Sequence, residues 1–136
     1  MEKPNPAYWN PWLETLSPER LESIEFKRFR TYMAYAQERS PLYRKKLAGI
    51  DPRKIKSRQD LRQLPLTDKE DLRLAQADAG RGLYGNLLGI EPSEVSDYRQ
   101  TSGTTGKPVY VPESYESWQW RIEVWCHILW MAGFRE

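Results

Sequence analysis

Cysteine is close to absent from this sequence. Cys126 stands alone among 136 residues. A single thiol forms no internal disulfide and supplies at most one metal ligand, which fits a reducing, cytoplasmic setting. Histidine is equally scarce, with only His127. No run of about 18 apolar residues occurs, so no membrane span is expected. The opening MEKPNPAYWNPW carries no apolar core of a secretory signal. An excess of one charge is lacking as well. The 21 basic and 19 acidic side chains leave a net charge of +2, which gives no case for a general nucleic-acid or membrane-surface binder. What remains, 39% hydrophobic and 29% charged residues, is the composition of a folded soluble chain. The length suits one domain with a modest core.

Aromatics are abundant by contrast. There are six Trp and eight Tyr, and Trp118, Trp120, Trp125 and Trp130 fall close together. Proline punctuates the chain in a readable way. Residues 1–16 hold Pro4, Pro6 and Pro11 among aromatics, and predict an extended arm pinned by Tyr8, Trp9 and Trp12. Residues 17–76 predict a helical region. Ser17–Pro18 and Ser40–Pro41 each pair an N-cap with a proline at the first helical position. Gly49 ends the second of these helices in the left-handed conformation. Ser57 caps one or two further turns that stop before Pro65. Thr67 and Glu70 predict a capping box. Residues 77–94, with Gly80, Gly82, Gly85 and Gly89, read as a loop with a short turn at PSEV.

Residues 95–112 predict a β-hairpin, and Ser114 caps a last helix over 114–133. In that helix Trp118, Ile122, Trp125, Leu129 and Ala132 form one apolar stripe. Trp120, Val124, His127, Ile128 and Met131 form another. A helix apolar on two sides is normally buried on two sides. Its covering elements are expected downstream of this chain, because a bare Trp-rich face on the order of several hundred Å² seeks a partner. Cys126 is expected as a small core residue. His127 is expected as a partly buried, hydrogen-bonded side chain. A catalytic Cys–His pair is disfavoured, since neighbours on a helix point about 100° apart. The basic runs RKKL and DPRKIKSR read as a solvated face.

The stretch QTSGTTGKPVYV raises a chemical question. A glycine-rich turn lets backbone N–H groups converge without Cβ obstruction. Ser102, Thr104 and Thr105 add hydroxyl donors, and Lys107 adds a positive charge. Pro108 stiffens the exit into the second strand. The candidate binding residues for a polyphosphate are therefore Thr101, Ser102, Gly103, Thr104, Thr105, Gly106 and Lys107. The spacing is not that of a Walker A loop, because only two residues separate Gly103 from Gly106 and Pro108 follows the lysine. It is not a Rossmann turn either, since no acidic residue is placed for a ribose. No catalytic residue and no metal ligand set is assigned.

TSGTTGKP resembles the phosphate-binding signature of the adenylate-forming enzymes, and Thr101 to Pro108 match every position of it. The stretches ETLSPERLESIEFKRFRTYMAYAQERSPLYRKKL and IKSRQDLRQLPLTDKEDLR resemble the phenylacetate-CoA ligase branch. The likeness runs from about Glu14 to Gly133. It implies an α+β fold that is part of a larger α/β adenylate-forming domain, with a helical N-terminal region, a hairpin carrying the loop, and a buried helix. It also implies a two-step ligase. A carboxylate, phenylacetate or another aryl acid, attacks the α-phosphorus of ATP, and coenzyme A then displaces AMP. Residues 102–107 would clamp the departing pyrophosphate, and Mg2+ would bridge the phosphates. The family's adenine-binding segment, magnesium-coordinating acid and catalytic lysine lie beyond the signature, so the chain reads as an N-terminal piece without ligation of its own. A stand-alone phosphate- or partner-binding module is the alternative. An acceptor other than coenzyme A, a carrier-protein thiol or an amine, also stays open.

Overall fold

In a computed structural model, residues 7–102 and 107–135 are described. The order of regular elements is α1 (Pro11–Glu14), α2 (Pro18–Arg39), α3 (Pro41–Lys46), α4 (Lys69–Ala77), β1 (Val95–Gln100), β2 (Tyr110–Ser114) and α5 (Tyr115–Met131). Short 3-10 segments lie at Pro52–Lys54, Asp60–Gln63, Ala79–Leu87 and Pro92–Glu94. The architecture is α+β, helices around a two-stranded antiparallel sheet.

Helix α2 is the scaffold. Ser17 caps it, its side chain accepting the Arg20 N–H at 3.4 Å, and Pro18 opens it. It stops at Ser40 because a residue before proline is driven out of the helical region, and Ser40 is extended at φ −94°, ψ 120°. Phe26 and Met33 of α2 pack with Leu47 and the fully buried Ile55 to form the core. Polar groups of the same helix fasten the chain that follows. Arg30 Nη1 donates to the Ile55 carbonyl at 3.1 Å. Gln37 Nε2 donates to the carbonyls of Leu47 and Ile50 at 2.9 and 2.8 Å. The turn between them uses Gly49 at φ +80°, the left-handed conformation expected there.

Four local expectations are corrected. The arm over 1–16 is not wholly extended, because Asn10 caps a short helix by accepting the Leu13 N–H at 3.1 Å, and Pro11 starts that helix instead of preventing it. Ser40 makes no side-chain cap on α3. It is buried and its hydroxyl lies 3.4 Å from the Leu87 carbonyl. The capping box of α4 is Asp68 with Asp71, one residue later than Thr67 with Glu70. A carboxylate at the cap accepts the Asp71 N–H at 2.9 Å and also faces the positive end of the helix dipole. The loop expected over 77–94 winds into 3-10 turns, with Gly85 at φ +53° pressed against α4. A Cβ there would sit 2.3 Å from the Ala75 carbonyl oxygen, so only glycine allows that approach.

The final helix forms as expected. Ser114 accepts the Ser117 N–H at 3.2 Å. Its end is a Schellman turn, with Gly133 at φ +89°, Gly133 N–H on Trp130 O and Phe134 N–H on Leu129 O, both 3.0 Å. The burial expected for this helix is not formed among the described residues, for none of its residues is buried, Cys126 included. Guanidinium groups cover part of its aromatic surface. Arg121 lies 4.3 Å from the Trp118 ring centre and Arg135 lies 4.0 Å from that of Trp130. Trp9 pins the N-terminal arm to the helix through Glu123 at 2.8 Å and an edge contact with Trp130, whereas Trp12 is exposed. His127 is partly buried and its Nδ1 lies 3.1 Å from Glu14, the partnered position expected for it. The basic runs are tied to acids: Lys46 to Asp71, Arg53 to Asp51 at 2.9 Å, and Arg58 to Glu22 at 3.1 Å. Among the described residues no helix is long and apolar enough to cross a membrane.

The Lys46–Asp71 pair joins α3 to α4. Lys46 and, secondly, the Asp68 backbone N–H hold the Asp71 carboxyl below its ordinary value of 3.8. A carboxyl lowered in the folded state stabilises above its ordinary value and ceases to do so as pH falls through the lowered one. Asp71→Asn is therefore expected to lower the thermal midpoint at neutral pH. The gap to the parent chain should close on acidification below the carboxylate range, as measured by circular dichroism melts across pH.

Candidate functional site: a loop pinned at its neck

The hairpin that carries the glycine stretch is built in register. Gln100 pairs with Tyr110, Arg99 with Val111, Tyr98 with Pro112 and Asp97 with Glu113, with an irregularity at Ser96. Beyond the last strand pair the two arms stay joined at one more step. The Thr101 N–H donates to the Val109 carbonyl at 3.0 Å, and the Val109 N–H donates to Thr101 Oγ1 at 3.0 Å. Val109 is buried, so this neck is anchored in the body of the molecule.

Thr101 thus has a structural part that the sequence did not disclose. Its backbone donor is spent on the scaffold and its hydroxyl oxygen accepts, although the hydroxyl hydrogen stays available to a further acceptor. Ser102 and Lys107, on the far side of the neck, are exposed. Among the described residues, neither the Ser102 hydroxyl nor the Lys107 ammonium has a hydrogen-bond or ion-pair partner. Gly103, Thr104, Thr105 and Gly106 lie outside the described residues. The structure therefore brings Thr101, Ser102 and Lys107 to one end of the hairpin.

Two residues that sequence reasoning passed over also reach this end. Arg73 Nε donates to the Lys107 carbonyl at 3.1 Å, and Gln76 Oε1 accepts the Tyr110 N–H at 3.2 Å. The available signal was their spacing. Polar side chains three apart on a helix share a face, here the face of α4 turned to the hairpin.

An open cleft of about 940 Å³ lies beside the hairpin, lined by Tyr32, Tyr35, Tyr43, Gly89, Val109 and Trp120 among others. Tyr35 braces its wall by donating to the Gly89 carbonyl at 2.9 Å. Val109 belongs to both the cleft and the neck, so the two features share one buried residue.

No family model matches the chain. A phenylacetate-coenzyme A ligase of Thermus thermophilus is 36% identical over 129 residues, 93% of this chain and 27% of the relative. That of Escherichia coli is 30% identical over 119 residues, 86% of this chain and 25% of the relative. Among solved structures, a 2-hydroxyisobutyryl-CoA ligase in the postadenylation state with 2-HIB-AMP superposes on 99% of this chain and 28% of its own, with a TM-score of 0.85 and 28% identity. An open conformation of 2-hydroxyisobutyryl-CoA ligase with 2-HIB-AMP and CoA gives 0.84 at 28% identity. The chain is related to the adenylate-forming coenzyme A ligases. It spans about a quarter of the length of the curated ligases it matches. The hairpin, its neck and α4 are thus parts of a ligase-type fold, and the α+β arrangement is a portion of that larger domain.

Removing the Thr101 hydroxyl tests the neck. Thr101→Val leaves the part-buried Val109 N–H without its acceptor, which is expected to cost about 1–3 kcal/mol. Thr101→Ser keeps the oxygen and should stay within about 1 kcal/mol of the parent. Urea denaturation of the three chains measures both.

Proposed function

We propose that this chain supplies the polyphosphate-binding part of an ATP-dependent, AMP-forming ligase that activates a carboxylic acid, phenylacetate or another aryl acid, for transfer to coenzyme A. The observation that carries the reading is the pinned neck. With Thr101 and Val109 joined, Ser102 and Lys107 are held at one end of the hairpin, and the Lys107 cation is exposed and unpaired among the described residues. The backbone N–H, hydroxyl and ammonium donors that the sequence over 102–107 offers suit a pyrophosphate, whose charge is spread over many oxygens.

Each residue has a stated role in this reading. Thr101 shapes the loop, and its hydroxyl hydrogen can reach a phosphate oxygen. Gly103 and Gly106, without a Cβ, would leave backbone N–H groups free to converge on the phosphates. Ser102, Thr104 and Thr105 donate hydroxyl hydrogen bonds. Lys107 neutralises charge. When the acid's carboxylate oxygen bonds to the α-phosphorus, the bond to the bridging oxygen of pyrophosphate breaks. The role of residues 102–107 in this reading is to stabilise the negative charge that gathers there. The loop acts by position and charge, and takes no proton. Magnesium, where present, would bridge the phosphates, as the family resemblance implies.

The apolar α5 fits the same reading. The matched ligases are several times longer than this chain. In this reading, further ligase sequence covers the helix over 115–133 and contributes the acid pocket and the coenzyme A site. A cytoplasmic location, where Cys126 stays a thiol, belongs to the same proposal.

A chimera tests it. Residues 1–136 replace the matching segment of the Thermus thermophilus relative, and phenylacetate-dependent ATP–pyrophosphate exchange is measured. The chimera is expected to exchange. Replacing Thr104, Thr105 and Lys107 together with alanine should lower the rate at least about 100-fold with the melting behaviour unchanged. An unaltered rate in the triple variant contradicts the assignment of the loop.

A further inference from the structure

We propose that Arg73 and Gln76 of α4 are positioning residues for the polyphosphate loop, a role that rests on the reading of that loop given above. The two side chains take hold of the strand that leaves the loop at two points on its backbone. Arg73 Nε binds the Lys107 carbonyl at 3.1 Å, and Gln76 Oε1 binds the Tyr110 N–H at 3.2 Å. Between these points Val109 is held from the other side by Thr101. The outgoing arm is therefore fixed from both sides within four residues, 107 to 110.

The grip is rigid because α4 is itself fastened. Lys46 binds Asp71, five residues before Gln76, and Gly85 packs against the Ala75 and Gln76 carbonyls. Gln76 Nε2 also donates to Leu83 O at 3.3 Å, so its amide is oriented at both ends. The position of Lys107 is thus referred back through α4 to the body of the molecule.

The state of Arg73 separates this role from that of a surface ion pair. Its pairing with Glu70, at 3.3 Å, uses Nη1 and an exposed carboxylate. Its side chain is only 23% exposed, and its Nη2 is buried with no hydrogen-bond partner among the described residues. An ordinary helix-surface pair does not draw a guanidinium inward and leave a donor unmet, because a buried unpaired donor is unfavourable. The inward placement is explained by the Lys107 carbonyl, which an arginine reaches with a planar, directional N–H and a lysine does not reproduce.

The test uses the 136-residue chain, with inorganic pyrophosphate and magnesium titrated calorimetrically and amide exchange followed by NMR. Arg73→Lys keeps the charge and the helix propensity. It is expected to weaken pyrophosphate at least about tenfold, as misplacement of a binding group does, and to speed exchange at Val109 and Tyr110, while the amides around Met33 and Ile55 keep their protection. Gln76→Leu, which leaves Arg73 in place, should act in the same direction. Binding of pyrophosphate by both variants as tightly as by the parent overturns the positioning role, and so does unaltered exchange at Val109 and Tyr110. Failure of the parent chain itself to bind pyrophosphate overturns the reading of the loop, and this inference with it.

Discussion

The reciprocal pair of hydrogen bonds between Thr101 and Val109 is the constraint on which the rest depends. A two-stranded ribbon on its own is marginal in water. Here the ribbon is closed at the very step where the regular pairing ends, and one of the two residues is buried. The closure defines where the scaffold stops and where the loop begins. Everything beyond it is short, glycine-bearing and polar. Everything before it is held by packing.

That packing is arranged in a chain of contacts. Helix α2 gathers the core of Phe26, Met33, Leu47 and Ile55. The ends of this unit are pinned by Gln37 and Arg30 to backbone carbonyls. Lys46 passes the reference to α4 through Asp71, and α4 passes it to the hairpin through Arg73 and Gln76. Helix α5 holds the other end of the same arm, with Arg121 paired to Glu113 of β2 and stacked on Trp118. Charged side chains serve here as connectors between elements, and the pairs that do so, Lys46–Asp71 and Arg121–Glu113, are largely shielded from solvent.

The legible part of the fold was local. Proline after serine marked the start of α2 and the break between α2 and α3, because it acts on its own and the preceding residue. The positive-φ turn at Gly49 and the cap of α5 at Ser114 were readable for the same reason. Competition among adjacent polar residues was not readable. Thr67 and Asp68 both fit a cap, and the carboxylate prevailed. Ser40 looked like a cap but turned toward Leu87, since burial against the 3-10 segment decided its rotamer. Tertiary roles were largely hidden. The three-residue spacing of Arg73 and Gln76 marks a shared face of α4, but what that face meets shows only when the hairpin is brought alongside. At the candidate site, residue types pointed to donors, but the scaffold duty of Thr101 became visible only in its pairing with Val109.

The central claim is that the segment beyond the pinned neck receives a polyphosphate. Its most direct test is a map of backbone amide shifts in the labelled chain as magnesium pyrophosphate is added. The account predicts saturable shifts concentrated on the amides of residues 102–107, with the strand pairs from Val95–Ser114 to Arg99–Val111 little moved. Shifts centred instead on the basic surface around Arg53 and Arg58, or scattered without saturation, would contradict it.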